Sequence, residues 1–81
     1  MKAITYSRRA LKLLRSMPRK DAELLLAKME SYAVSGRSQS VTKLVGSGML
    51  RLRQGDLRAI FEETESEIVV QAIGNRREIY R

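Results

Sequence analysis

The apolar residues of this chain change their spacing part-way along it, and that change governs what the chain can fold into. Between Ser7 and Gly36 they recur at a helical period of about 3.6, and from Leu50 onward at a strand period of two. In the first half, Ala10, Leu11, Leu13, Leu14 and Met17 share one helical face, while Arg8, Lys12 and Arg15 line another. Ala22, Leu25, Leu26, Met29 and Ala33 then repeat at i, i+3, i+4, i+7 and i+11. Ser7 stands where an N-cap belongs. Pro18 ends the first run and suits the first turn of the second. Asp21 and Glu23 lie in that turn, where the helix dipole favours acids, and Gly36 is a natural C-cap. Together the runs predict an αα-hairpin.

The second half predicts strands. Leu50-Arg51-Leu52-Arg53 alternates, Gln54-Gly55-Asp56 is a turn signal, and Leu57 to Glu62 alternates again. Glu63 to Ser66 is a polar turn. Ile68 to Ile73 is apolar at nearly every position, as expected of a central strand covered on both faces. Before the helices, Ala3 to Tyr6 favours a short strand. Residues 36–48 are rich in Ser and Gly and predict a loop, interrupted by Val41 to Val45. The expected order is β-α-α-β-β-β. This is an α+β fold in which an antiparallel sheet carries the N-terminal helical hairpin on one face, as one domain over residues 1–81.

Composition narrows the chemistry. The chain has no His and no Cys, so an imidazole base, a thiol nucleophile, a zinc finger and a disulfide are all excluded. The N-terminal residues lack the apolar run of a secretory signal, and no stretch approaches the ~20 apolar residues of a membrane span. A cytoplasmic protein with no cofactor, no metal and no membrane partner is expected. The net charge of +7 points towards polyanions. Residues 1–50 hold ten basic and three acidic side chains, whereas residues 51–81 hold six of each. All six bases of that second part are arginine: Arg51, Arg53, Arg58, Arg76, Arg77 and Arg81. Its acids Glu62, Glu63, Glu65 and Glu67 cluster around one turn.

Strand geometry gives this segregation a shape. Arg51 and Arg53 share a strand face, and a hairpin closed at Gln54 to Leu57 sets Arg58 opposite or diagonal to them. The last strand returns Asn75, Arg76 and Arg77 to that same end, with the acidic turn at the other. Two readings remain open on pattern alone. The arginines form a cluster that holds phosphates, or they are ordinary outward residues of a solvated sheet.

Other features read as scaffold. Gly46-Ser47-Gly48 lacks the Lys-Ser/Thr of a phosphate loop and precedes a strand. Ser47 has no imidazole partner for nucleophilic work. The four glutamates are expected to solvate a turn rather than ligate a cation, and Arg8, Lys12, Arg15 and Arg19 to form a solvated helix face, with a phosphate or acidic-peptide track as the second reading. Tyr6 and Phe61 are expected in the core, Tyr32 half-buried near a helix end, and Tyr80 beside the arginines.

Leu50 to Phe61, Ile73 to Arg81 and Val41 to Gly46, taken in order and spacing, resemble the RelE/ParE superfamily of bacterial toxins. The resemblance spans essentially the whole chain. It implies a RelE-like fold and the toxin of a type II toxin–antitoxin pair, neutralised by a cognate antitoxin in a hetero-oligomer. RelE-type members are ribosome-dependent endoribonucleases that cut messenger RNA without a metal, and ParE-type members inhibit DNA gyrase instead. By that resemblance Arg51, Arg53, Arg58, Arg76 and Tyr80 are the catalytic set, and Lys43, Arg77 and Arg81 contact RNA. The chain departs from many relatives in having Asn75 where they have His, and Arg51 and Arg53 where some nucleases have Lys. A third reading is a non-catalytic basic module that only binds nucleic acid.

Overall fold

The computed structural model describes residues 1–75. The elements run β1 (Ala3–Tyr6), α1 (Arg8–Ser16), α2 (Arg19–Ser35), β2 (Val41–Lys43), β3 (Leu50–Gln54), β4 (Leu57–Glu63) and β5 (Glu67–Asn75). Ser7 caps α1 as expected, its Oγ accepting from the Ala10 N–H at 3.0 Å. The same hydroxyl donates to the Gln71 carbonyl at 2.7 Å, so the cap also ties the helix to the last strand. Pro18 sits one position earlier than expected, as the N-cap of α2 rather than inside its first turn. Gly36 ends α2 in the left-handed conformation at φ 71°, its N–H donating to the Tyr32 carbonyl at 2.7 Å.

Five strands form one sheet in the order β1-β5-β4-β3-β2. The expected antiparallel meander is β3, β4 and β5. The structure adds β2 as a fifth strand, antiparallel to β3. It also pairs β1 with β5 in parallel, so the sheet is mixed rather than antiparallel throughout. β2 is only Val41, Thr42 and Lys43, too short to carry a period. A parallel partner is invisible locally, because β1 and β5 lie at opposite ends of the sequence.

The apolar run of β5 has a different cause from the expected cover on both faces. A bulge lies between Ile60 and Phe61: Ile60 pairs with Ala72 and Phe61 with Val70, leaving Gln71 over. The extra residue flips the alternation, so that Ile68 and Val70 before it and Ile73 after it all face the core. Val69 and Ala72 on the other face are half-buried. Both helices pack on the core face, α1 against β5 and α2 against β3 and β1. Phe61, Leu25, Met29, Leu52, Ile68 and Val70 are the largest fully buried side chains. Leu11, expected on the apolar face of α1, is 38% exposed.

Tyr32 is buried rather than half-buried. Its ring meets Phe61 edge-on, with centroids 5.5 Å apart. Its hydroxyl donates to Glu63 Oε1 at 2.7 Å, while Lys2 Nζ donates to Glu63 Oε2 at 2.9 Å. Glu63 is therefore a clamp between β4, α2 and the N-terminal residues rather than a solvated turn residue. Burial pushes the Tyr32 phenol up to about 12, and the Glu63 carboxylate beside it adds to the rise. Burial alone raises the Glu63 carboxyl, but the hydrogen bonds from Tyr32 and Lys2 and the Lys2 charge outweigh it and hold the group low.

Candidate functional site

The site grows from one tight turn. β3 and β4 are joined by Gly55 and Asp56 between the paired residues Gln54 and Leu57. Gly55 has φ 59° and Asp56 does not have positive φ, the pattern of a type II′ hairpin, which needs glycine first. This turn sets the register: Arg53 lies directly opposite Arg58, and Arg51 opposite Ile60. Directly paired residues point to the same face. Arg51, Arg53 and Arg58 therefore emerge together on the face away from Leu52, Ala59 and Phe61, which are in the core. Among the described residues, both helices lie on the core face. Thr42 faces the same way opposite Arg51. Gly74 lies opposite Arg58 and presents no side chain there. Asn75 pairs with Leu57 and ends at the hairpin, while Glu63 pairs with Ile68 at the far end of the strand. The expected separation of arginine end and acidic end is met among the described residues.

The three arginines differ in setting. Arg58 is 8% exposed, and its Nη1 donates to the carbonyls of Gly55 at 2.9 Å and Leu57 at 3.0 Å. It splints the turn that displays it. Arg53 is exposed. Arg51 is half-buried, with Nη2 3.4 Å from Thr42 Oγ1. Like charges directly opposite across two strands disfavour folding by a few tenths of a kcal/mol up to about 1 kcal/mol. An anion lying on both guanidiniums reverses the sign of that interaction. The Arg53–Arg58 repulsion is thus a cost to the fold that a bound anion would offset, while Arg58 also braces the turn.

On the β2 side of Arg53 the surface dips into a concavity of about 330 Å³, lined by Gln39, Ser40, Thr42, Arg51 and Arg53. Its wall is braced from the helix layer. Lys28 Nζ donates to Ser40 Oγ at 3.0 Å and to the Arg53 carbonyl at 3.3 Å. The Arg53 N–H donates to the Ser40 carbonyl at 2.9 Å, extending the strand pairing past β2. Sequence reasoning missed Gln39, Ser40, Thr42 and Lys28. Three are neutral residues in what reads as a loop, and the fourth is one lysine among many.

The remaining candidates fall elsewhere. Lys43 pairs with Leu50 and so lies on the opposite face from the arginines, because the register sets Thr42 against Arg51. It lines another groove of about 530 Å³ with Tyr32, Arg37, Val41 and Leu50, and Gln39 borders both this groove and the concavity beside Arg53. Ser47 is a turn former: its Oγ accepts from the Met49 N–H at 3.1 Å, between Gly46 at φ 79° and Gly48 at φ 73°. Arg8, Lys12, Arg15 and Arg19 are exposed, Arg19 in a surface pair with Glu23. No group of three or more His, Cys, Asp or Glu among the described residues is arranged to hold a metal. No helix among the described residues is long and apolar enough to cross a membrane. Arg76, Arg77, Tyr80 and Arg81 lie outside the described residues.

No protein-family model matches the sequence, and no curated protein matches it. Solved structures do match. The E. coli RelBE toxin–antitoxin complex contains a chain similar at TM-score 0.78 and 22% identity, over 93% of this chain and 96% of that one. The RelB–RelE antitoxin–toxin complex from Methanococcus jannaschii gives 0.76 and 19%, over 94% of each chain. YafQ from E. coli gives 0.69 and 15%, over the whole of both chains. The helical hairpin and the strand meander thus belong to one architecture shared across these molecules, and the chain has the RelE fold.

Proposed function

We propose that this chain is the toxin of a type II toxin–antitoxin pair, acting in the cytoplasm as an endoribonuclease on messenger RNA held by the ribosome and silenced by a cognate antitoxin. The observation that carries the reading is the Arg53–Arg58 cross-strand pair, with Arg51 beside it, on the sheet face away from α1 and α2. The likeness in fold to chains solved in toxin–antitoxin complexes supports the toxin role and the antitoxin partner.

The reaction that suits these groups needs neither metal nor water in its first step. The RNA 2′-oxygen attacks the neighbouring phosphorus, a P–O2′ bond forms, and the P–O5′ bond breaks. The products are a 2′,3′-cyclic phosphate and a free 5′-hydroxyl. The proton leaves the 2′-hydroxyl and an equivalent proton reaches the departing 5′-oxygen. Arg53 and Arg58 brace the phosphate whose charge grows in the transition state, Arg51 holds a neighbouring phosphate, and Arg76 supplies a further guanidinium. A guanidinium with a pKa above ~12 is no base. That role falls to Tyr80, whose phenol has a reference pKa of ~10. Arg77 and Arg81 add RNA contacts. This set binds phosphate better than it moves protons, so the free protein is a slow nuclease. The ribosome supplies the in-line geometry.

Primer extension on messenger RNA after induced expression tests the reading. Wild type produces new cuts, and Arg53→Ala and Tyr80→Phe each lose them. Cuts that survive both changes refute the site. Intact transcripts together with blocked gyrase supercoiling replace this reading with the gyrase-inhibitor one.

A further inference from the structure

We infer that the concavity beside Arg53 is a base-reading subsite, which takes one unpaired nucleobase of the RNA strand and gives the toxin its sequence preference through Gln39. The inference rests on the nuclease reading above and names a part of that site the arginines leave unexplained.

Three observations carry it. The first is size. About 330 Å³ lies at the small end of ligand sites, which start near ~300 Å³. That suits one nucleotide and no longer stretch.

The second is chemistry. Beyond its two arginines the lining is Gln39, Ser40 and Thr42, all neutral. The Gln39 amide offers a donor and an acceptor side by side, and the hydroxyls offer both as well. A phosphate meets only the donors of this set, whereas the edge of a base meets the Gln39 donor and acceptor together. Splayed-out bases of single-stranded RNA are read in this way, by hydrogen bonds to their edges.

The third is rigidity. Lys28 fixes Ser40 Oγ and the Arg53 carbonyl from behind, and the Arg53 N–H binds the Ser40 carbonyl. The wall of the concavity is therefore held in register with the arginine that faces Arg58. A phosphate on the Arg53–Arg58 pair leaves its neighbouring base over this wall. Arg53 serves both parts, so position along the strand is set once.

The test measures binding of the full chain to labelled single-stranded oligo(A), oligo(C) and oligo(U) by fluorescence anisotropy at several salt concentrations, alongside cut-site mapping by primer extension. Wild type binds the three RNAs with different affinities, and Gln39→Ala narrows that spread by about fivefold or more, within the range expected for one side-chain–base pair. The salt slope is unchanged, because no cation is removed. In cut mapping the same variant shows a broader set of sequences. Arg53→Ala instead weakens all three RNAs together and lowers the slope. Thr42→Val, which keeps shape on an exposed strand, narrows the spread in the same direction. A wild type that cuts RNA with a preference untouched by Gln39→Ala and Thr42→Val overturns the subsite and leaves the nuclease standing. A Gln39→Ala variant that alters only antitoxin affinity overturns it in favour of a protein contact. A wild type that neither binds nor cuts RNA overturns both readings.

Discussion

Arg58→Ala removes a charge from the arginine face and a splint from the hairpin at once, and the two losses separate by measurement. The guanidinium gives two hydrogen bonds from one nitrogen, at 2.9 Å to Gly55 and 3.0 Å to Leu57. A bond from a charged donor contributes roughly 1.5–3 kcal/mol when its acceptor is otherwise dry. Here Gly55 is exposed and Leu57 half-buried, so water replaces much of the interaction. A combined value near ~2 kcal/mol follows. Against it stands the relief of facing Arg53, worth up to about 1 kcal/mol. The net loss is about 1–2 kcal/mol, and in a domain of this size each kcal/mol lowers Tm by roughly 4–8 °C. Arg53→Ala is the control. Arg53 is exposed, and its removal relieves the same repulsion, so Tm holds or rises slightly. Circular-dichroism melts of the two variants, run beside primer extension, should show both inactive and only Arg58→Ala melting early. An Arg58→Ala melt that overlays wild type refutes the splint. An Arg53→Ala loss of equal size refutes the account of the open face.

Tyr32→Phe should destabilise the fold by about 1–2 kcal/mol at neutral pH, since it strips one donor from the Glu63 carboxylate; urea unfolding measures it. Glu63 titrates low in the fold, so its contribution is complete above its ordinary pKa of about 4.3 and fades as pH falls through the lower folded value. The gap between wild type and Glu63→Gln must therefore close in acid. Tyr32 behaves in the opposite sense: raised to about 12, it stabilises fully below its ordinary ~10 and loses that as pH climbs through the folded value. Gly55→Ala, at φ 59°, should lose about 1–2 kcal/mol in denaturant titration and disturb the register of Arg53 and Arg58. Ser7→Ala removes both the α1 cap and the tie to Gln71, and a loss of about 1–2 kcal/mol is expected in the same assay.

Much of the fold was legible because its signals are local. Ser7, Gly36 and the Gln54–Leu57 turn announce element ends by their own backbone chemistry, and all three stand where expected. The arginine face followed from period two plus that turn, since a two-residue hairpin leaves no freedom in register. What stayed hidden depends on partners far along the chain. β2 is a strand only because β3 pairs with it. Gln71 looks like any strand residue until Ile60 and Phe61 oppose it and expose the bulge. Glu63 reads as one of four turn acids, and only Tyr32 and Lys2 single it out. The resemblance implies an RNA contact at Lys43, and one residue of register puts it on the face opposite Arg51 and Arg53.

The parallel pairing of β1 with β5 also sets a timetable. Residues 3–6 lie along residues 67–70, with the Ser7 N–H held by the Val70 carbonyl at 2.9 Å. Synthesis delivers the first strand long before its neighbour exists. The nascent chain must wait with that strand unzipped until residues 67–70 have been made and can lie beside it.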